Sequence, residues 1–208
     1  GVMYDMLGRF ASEDVRDRSV LALIKRYSGD KKQAKQVVKT SRSLFEQVKE
    51  KLGLSTEDGD LLRRAASLHE IGLAIAHSGY HKHSAYLVEY SDIPGFSQVD
   101  QKRMAQLMLN HRRKLKADML EQACIIGGDS LVYLCLLLRL AVLAHHSRSE
   151  HELPKLGLKV IDNNRWQITV GESSEHYTFL LSDLHTEIEQ FAKWGVKLSV
   201  VDGSMVEA

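Results

Sequence analysis

Residues Leu131–Leu138 read Leu-Val-Tyr-Leu-Cys-Leu-Leu-Leu, an apolar run interrupted only at Arg139 before it resumes toward Ala144. Asp129 or Ser130 is suited to cap a helix that continues to about His146. A helix apolar on most of its faces must be surrounded by other elements, so Leu131–Ala144 is expected at the centre of a helical domain. The uninterrupted run is too short to cross a bilayer, and no membrane span is expected.

The surrounding helices announce themselves by spacing and caps. A helix is expected over Glu13–Tyr27. Asp30 caps a second, in which Ala34, Val37, Val38, Ser41, Leu44, Phe45, Val48 and Leu52 share one face and Gly53 closes the end. Ser55-Thr56-Glu57-Asp58 and Ser97-Gln98-Val99-Asp100 are capping-box patterns. The first opens a helix through Leu68, and the second leads into Met104, Leu107 and Met108.

The character changes near Leu153-Pro154. Lys155–Ile161 alternates as a strand, Asp162-Asn163-Asn164 is turn chemistry, and Trp166–Val170 reads as the second strand of a hairpin. An amphipathic helix from about Ser182 to Trp194 and a strand over Val196–Val201 complete the pattern. The expected fold is mainly α: a helical domain over residues 1–150, then a small α+β domain over 151–208 with an antiparallel sheet. Hairpin edges in that sheet would need covering. Asp202–Ala208 is expected to be a loose end.

Charge divides at the same place. Residues 1–150 hold 23 Lys and Arg against 18 Asp and Glu, and residues 151–208 hold 5 against 9, so an anionic partner would sit on the first part. Cys124 and Cys135 lack CxxC spacing and lie in apolar surroundings, which suits buried thiols in a reducing compartment. Gly1–Phe10 has no apolar core of a signal peptide, and the chain reads as cytoplasmic. Its start at Gly-Val, without Met, suggests a piece of a longer chain.

The chemistry-bearing residues are histidines and basic groups. His69-Glu70 ends a helix before Ile71-Gly72, and an imidazole beside a carboxylate can supply two ligands to a divalent cation. His77, His81-Lys82-His83-Ser84 and His111-Arg112-Arg113-Lys114 follow, with Lys116 beyond them. Lys82 and His81 stand at the expected start of a helix, where free N–H groups favour anions. The run Arg112–Lys116 reads either as phosphate contacts or as a solvated helix end. Arg139 reads either as part of a basic channel or as an internal ion pair with a carboxylate such as Glu70. Motifs for serine or cysteine nucleophiles, Walker loops and zinc proteases are absent, and with 7% aromatic residues nothing indicates a specific nucleic-acid module.

The blocks His69-Glu-Ile-Gly, His77-Ser-Gly-Tyr-His-Lys-His-Ser-Ala-Tyr-Leu-Val and His111-Arg-Arg-Lys resemble the exopolyphosphatase/guanosine pentaphosphate phosphatase family. Gly1–Leu7 with Asp14-Val-Arg-Asp-Arg-Ser looks like the junction where that family's actin-like catalytic domains end. The resemblance covers essentially the whole chain and implies its C-terminal half, with an HD-like helical fold to about residue 150. A working HD site has a His on an early helix, a His-Asp pair and a distant Asp. By spacing these fall at Gln33, at His69-Glu70 and at Val142, so the resemblance implies a lost metal site with His69 and Glu70 as remnants, and no metal or cofactor in this chain. Hydrolysis, with Mg2+, is assigned by the resemblance to the absent actin-like domains, leaving no catalytic residue here.

The function expected is an accessory region that binds polyphosphate, or guanosine pentaphosphate, through Lys82, His81, His83, His111, Arg112, Arg113, Lys114 and Arg139, and supports a homodimer. The histidines would add charge as pH falls toward their titration range. A self-sufficient HD-type metal-dependent phosphohydrolase and an interaction module without small ligand are the alternatives.

Overall fold

The computed structural model describes residues 15–146, 155–171 and 177–203. A first helix, α1, covers residues 15–26. It is followed by α2 (Lys31–Leu52), α3 (Thr56–Leu68), a 3-10 turn (Ile71–Ala74), α4 (Tyr80–Tyr90), α5 (Gln98–Asn110) and α6 (Ala117–Ala144). Strands β1 (Leu156–Asp162) and β2 (Arg165–Val170), helix α7 (Tyr177–Lys193) and strand β3 (Lys197–Asp202) complete the chain. The mainly helical architecture with a small α+β part is as expected. The boundary proposed near residue 150 lies outside the described residues, as does the expected loose end Asp202–Ala208 from residue 204 onward, while Asp202 itself ends β3.

The caps work as their sequences require. Asp30 accepts hydrogen bonds from the amides of Lys32 and Gln33, and Gly53 closes α2 in the left-handed conformation with φ 64°. Ser55–Asp58 and Ser97–Asp100 both form reciprocal capping boxes.

Helix α6 begins earlier than its apolar run suggested. Gly128, at φ 63° and ψ −162°, divides it, so residues 129–144 are a separate helical stretch behind a kink. Among the described residues α6 is the one helix long and apolar enough to cross a membrane, yet two-thirds of that window is buried inside the fold. Leu131, Leu134, Leu136, Leu137 and Leu138 are fully covered. It is a core helix, packed against α2, α3, α5 and α7. The two cysteines part ways: Cys135 is buried on α6, whereas Cys124, before the kink, is exposed rather than buried.

The sheet has the order β1-β2-β3. The hairpin pairs antiparallel as expected, from Leu156 opposite Val170 to Val160 opposite Trp166. β3 instead runs parallel to β2, because α7 carries the chain back across the sheet before β3 begins. The sheet is therefore mixed rather than antiparallel throughout. The free edge of β1 is covered by α2: the Gln47 amide donates to the Leu156 carbonyl (3.2 Å) and accepts from the Leu158 amide (2.7 Å). Trp166 on β2 meets the ring of Tyr133 from α6 at 5.9 Å and that of Phe191 from α7 at 6.0 Å. One apolar cluster thus runs from the helices into the sheet.

Candidate functional site: a histidine floor under a basic rim

The site is built where the end of α3, the start of α4 and the loop after α5 meet. Gly72 makes this possible. A Cβ there would lie 2.2 Å from the Tyr80 carbonyl oxygen and 2.4 Å from the Ser84 amide nitrogen, so only glycine lets the turn touch the first turn of α4. Ser84 then ties the two segments: its hydroxyl accepts from the Gly72 amide and donates to the His69 carbonyl, both at 2.9 Å. The His69–Gly72 and His81–Ser84 blocks are thus two halves of one interlock.

His69, His81 and His111 converge. Their rings stand 5.4 Å apart for His69–His111 and 6.3 Å for His81–His111, and all three are buried. His69 and His111 close α3 and α5, and each Nδ1 turns back on the carbonyl three residues earlier, Ala66 and Met108. A carbonyl only accepts, so each Nδ1 carries the proton. Burial holds His111 well below the usual imidazole range, aided by His69, His81 and Arg112. His81 is lowered to about 4, first by burial and then by the charges of Arg112, Lys82 and Arg113 and by His83. These two rings are neutral where an ordinary histidine begins to charge, so the expected gain of positive charge near its titration range does not develop at them.

His145, which no motif marked, is a fourth buried histidine. Its Nε2 lies 2.8 Å from the Thr40 hydroxyl, and burial, with His69 nearby, lowers it to about 4. Gln33 gives its amide to the His145 carbonyl at 3.0 Å. Glu70 is buried, with Oε1 3.9 Å from His69 Nε2. Val142 lies on the wall of a cavity of about 180 Å³ bordered by Tyr80, His111, Arg112 and Arg139. Among the described residues no three His, Cys, Asp or Glu side chains are grouped closely enough to hold a metal ion.

Above this floor sits a basic rim. Tyr80, the first residue of α4, carries the Arg112 guanidinium 4.4 Å over its ring. His81 and Lys82 follow in the first turn of α4, as expected from the sequence. Arg112, Lys82 and Arg113 all bear electrostatically on His81, and they come from two segments, the start of α4 and the loop after α5. Arg113 and Lys114 are exposed and His83 is half-buried, while His77, on an exposed turn, brings its ring 6.4 Å from that of Tyr80. Since neutral buried rings offer lone pairs rather than charge, the donors for an anion are the rim cations.

Arg139 is buried and its guanidinium is spent internally. It pairs with Glu187 of α7 through two bonds and donates to the carbonyls of Asn110 (3.2 Å) and Arg113. The internal-pair reading therefore describes it, with Glu187 rather than Glu70 as the carboxylate. A larger cavity, about 800 Å³, lies elsewhere, between α2 and α3. Its walls carry both signs, already paired along each helix, Lys49 with Glu46 on α2 and Arg63 with Asp60 on α3.

Residues 15–188 match the family described as Ppx/GppA phosphatase, domain III. A guanosine-5'-triphosphate,3'-diphosphate pyrophosphatase of Pseudoalteromonas translucida is 34% identical over 203 residues, 96% of this chain and 40% of that protein. The proteins of the same description from Aeromonas hydrophila and Aeromonas salmonicida are 34% and 32% identical over 198 residues each. The chain spans about 40% of the length of these curated relatives. With the interlocked histidine blocks and the profile match over most of its length, the chain belongs to the Ppx/GppA phosphatase family, as the region that family calls domain III.

Proposed function

We propose that this chain is the accessory region of a cytoplasmic phosphatase that holds a polyanionic phosphate chain, polyphosphate or guanosine pentaphosphate, while Mg2+-dependent hydrolysis occurs in actin-like domains elsewhere in the parent protein. Support for a homodimer is part of the same reading. The observation that carries it is the Arg112 guanidinium seated on Tyr80 at the start of α4, which brings the Arg112–Lys114 run beside the first-turn residues His81 and Lys82. Several cations on one rim suit a chain of phosphates, because each bond is modest and the ligand can shift between them. The relatives' name, guanosine-5'-triphosphate,3'-diphosphate pyrophosphatase, supports the ligand class.

The test is titration of labelled long-chain polyphosphate at low and moderate salt, with guanosine pentaphosphate as competitor. Replacing Arg112, Arg113 and Lys114 together by Ala removes three charge contacts at about 0.5–1 kcal/mol each, so affinity should fall ~10- to 100-fold. Binding should also weaken with salt. Absence of binding at low salt refutes the anion role. Phosphate release by this chain alone, with stoichiometric metal, would establish the self-sufficient hydrolase instead. Sedimentation of the same sample checks the dimer.

A further inference from the structure

Most of the basic rim lies in a loop without regular structure between α5 and α6, residues 111–116. Four of its six side chains are cationic, so its own electrostatics oppose a tight conformation. Arg113 also adopts φ 69°, a left-handed backbone that a β-carbon disfavours. Something outside the loop must impose its shape, and the bonds to it come from α7 and its exit, two of them directly and two through Arg139 of α6.

Glu187, Gln190 and Trp194 follow at intervals of three and four, which puts them on one side of α7 and its exit. All three are buried. Glu187 holds Arg139, whose guanidinium bonds the carbonyls of Asn110 and Arg113. Gln190 Oε1 accepts from the Leu115 amide at 3.0 Å. Trp194 Nε1 donates to the Lys116 carbonyl at 3.2 Å. Of four backbone groups across the loop, from residue 110 to residue 116, two are bonded directly by this face of α7 and two by Arg139, which Glu187 holds. The negative charge of Glu187 is consumed by Arg139, so it does not oppose an anion at the rim.

We infer that α7 is the template that sets the geometry of the anion-binding loop, with Glu187, Gln190 and Trp194 as positioning residues that never touch the ligand. The inference rests on the proposed anion-binding role of Arg112, Arg113 and Lys114. It gives the small C-terminal unit a part in ligand binding, although its own composition is acidic.

Glu187→Gln would leave Arg139 buried without a counter-charge, and that variant risks misfolding. The deciding variants are therefore Gln190→Leu and Trp194→Phe, each of which deletes one bond to the loop and keeps most of the bulk. Phe191→Leu is the control, since Phe191 is fully buried on the same helix and packs on Trp166. Polyphosphate affinity is measured beside hydrogen exchange of the 110–116 segment, well below each melting temperature. Gln190→Leu and Trp194→Phe should each weaken binding about fivefold and speed exchange in that segment ~10-fold. Phe191→Leu should lower the melting temperature and change neither. Wild-type affinity and exchange in the two bond-deleting variants overturn the inference, as does an equal loss of affinity in Phe191→Leu. If the wild type binds no polyphosphate, the proposed function falls, and the exchange measurement alone decides whether α7 shapes the loop.

Discussion

Lowering the pH from 7.5 to 5.0 should destabilise this chain, and the buried histidines set how much. His81 and His145 titrate near 4 in the folded state, against 6.5 when exposed, and burial is the leading cause in both. Between pH 6.5 and 4 the unfolded chain binds protons that the folded chain refuses. Stability is therefore complete above the unfolded value and falls as pH drops toward the folded one. For one such ring the linkage between pH 7.5 and 5.0 amounts to about 2 kcal/mol. His111, held lower still, adds to the effect in the same direction. Local opening that admits water to the rings reduces the simple sum, and a loss of about 2–4 kcal/mol is expected, a large part of the 5–15 kcal/mol typical of a domain. Asp17 and Asp162 act outside this window. Their carboxyls are held below the usual 3.8, Asp162 chiefly by Arg165, and Asp17 by Arg63 and Arg64 against the opposing effect of burial; their stabilisation fades only below that pH. The assay is urea unfolding at pH 7.5 and 5.0, with His145→Gln as comparison because an amide can still meet the Thr40 hydroxyl. The variant should lose about a third to a half of the pH dependence. Equal urea midpoints at the two pH values in the wild type would refute the reasoning, and an unchanged slope in the variant would remove His145 from it.

Three structural substitutions check the rest of the frame. Gly72→Ala forces a methyl group against backbone atoms of Tyr80 and Ser84, which cannot swing aside, and should cost about 3 kcal/mol or more by calorimetry. Ser84→Ala leaves the Gly72 amide and the His69 carbonyl without their shared partner and should cost about 2 kcal/mol, read as a lower urea midpoint. Gln47→Leu uncovers the edge of β1 at Leu156 and Leu158; about 1–2 kcal/mol of stability should be lost, with faster amide exchange at Leu158.

Much of the helical frame was legible because its signals are local. The caps at Asp30, Ser55 and Ser97 act over two or three residues, and the apolar faces of α2 and α6 repeat within a single helix. The basic residues of the rim and the histidine blocks were visible for the same reason: their identities and order are written in short stretches. The earlier half of α6, from Ala117 to the kink at Gly128, carried no comparable apolar run and was missed.

What the tertiary structure decided is where distant groups meet. Arg139 plainly needed a partner, but Glu187 lies 48 residues along the chain, and no spacing rule reaches that far. β3 could pair either way until α7 set its direction. His145 showed nothing unusual until the fold buried it beside Thr40. The sequence alone determined that histidines and cations would lie close together. Whether those histidines would be charged depended on burial and on neighbours from three separate elements, because the free energy of an ionised ring is set by the whole volume around it and not by the residues next to it in the chain.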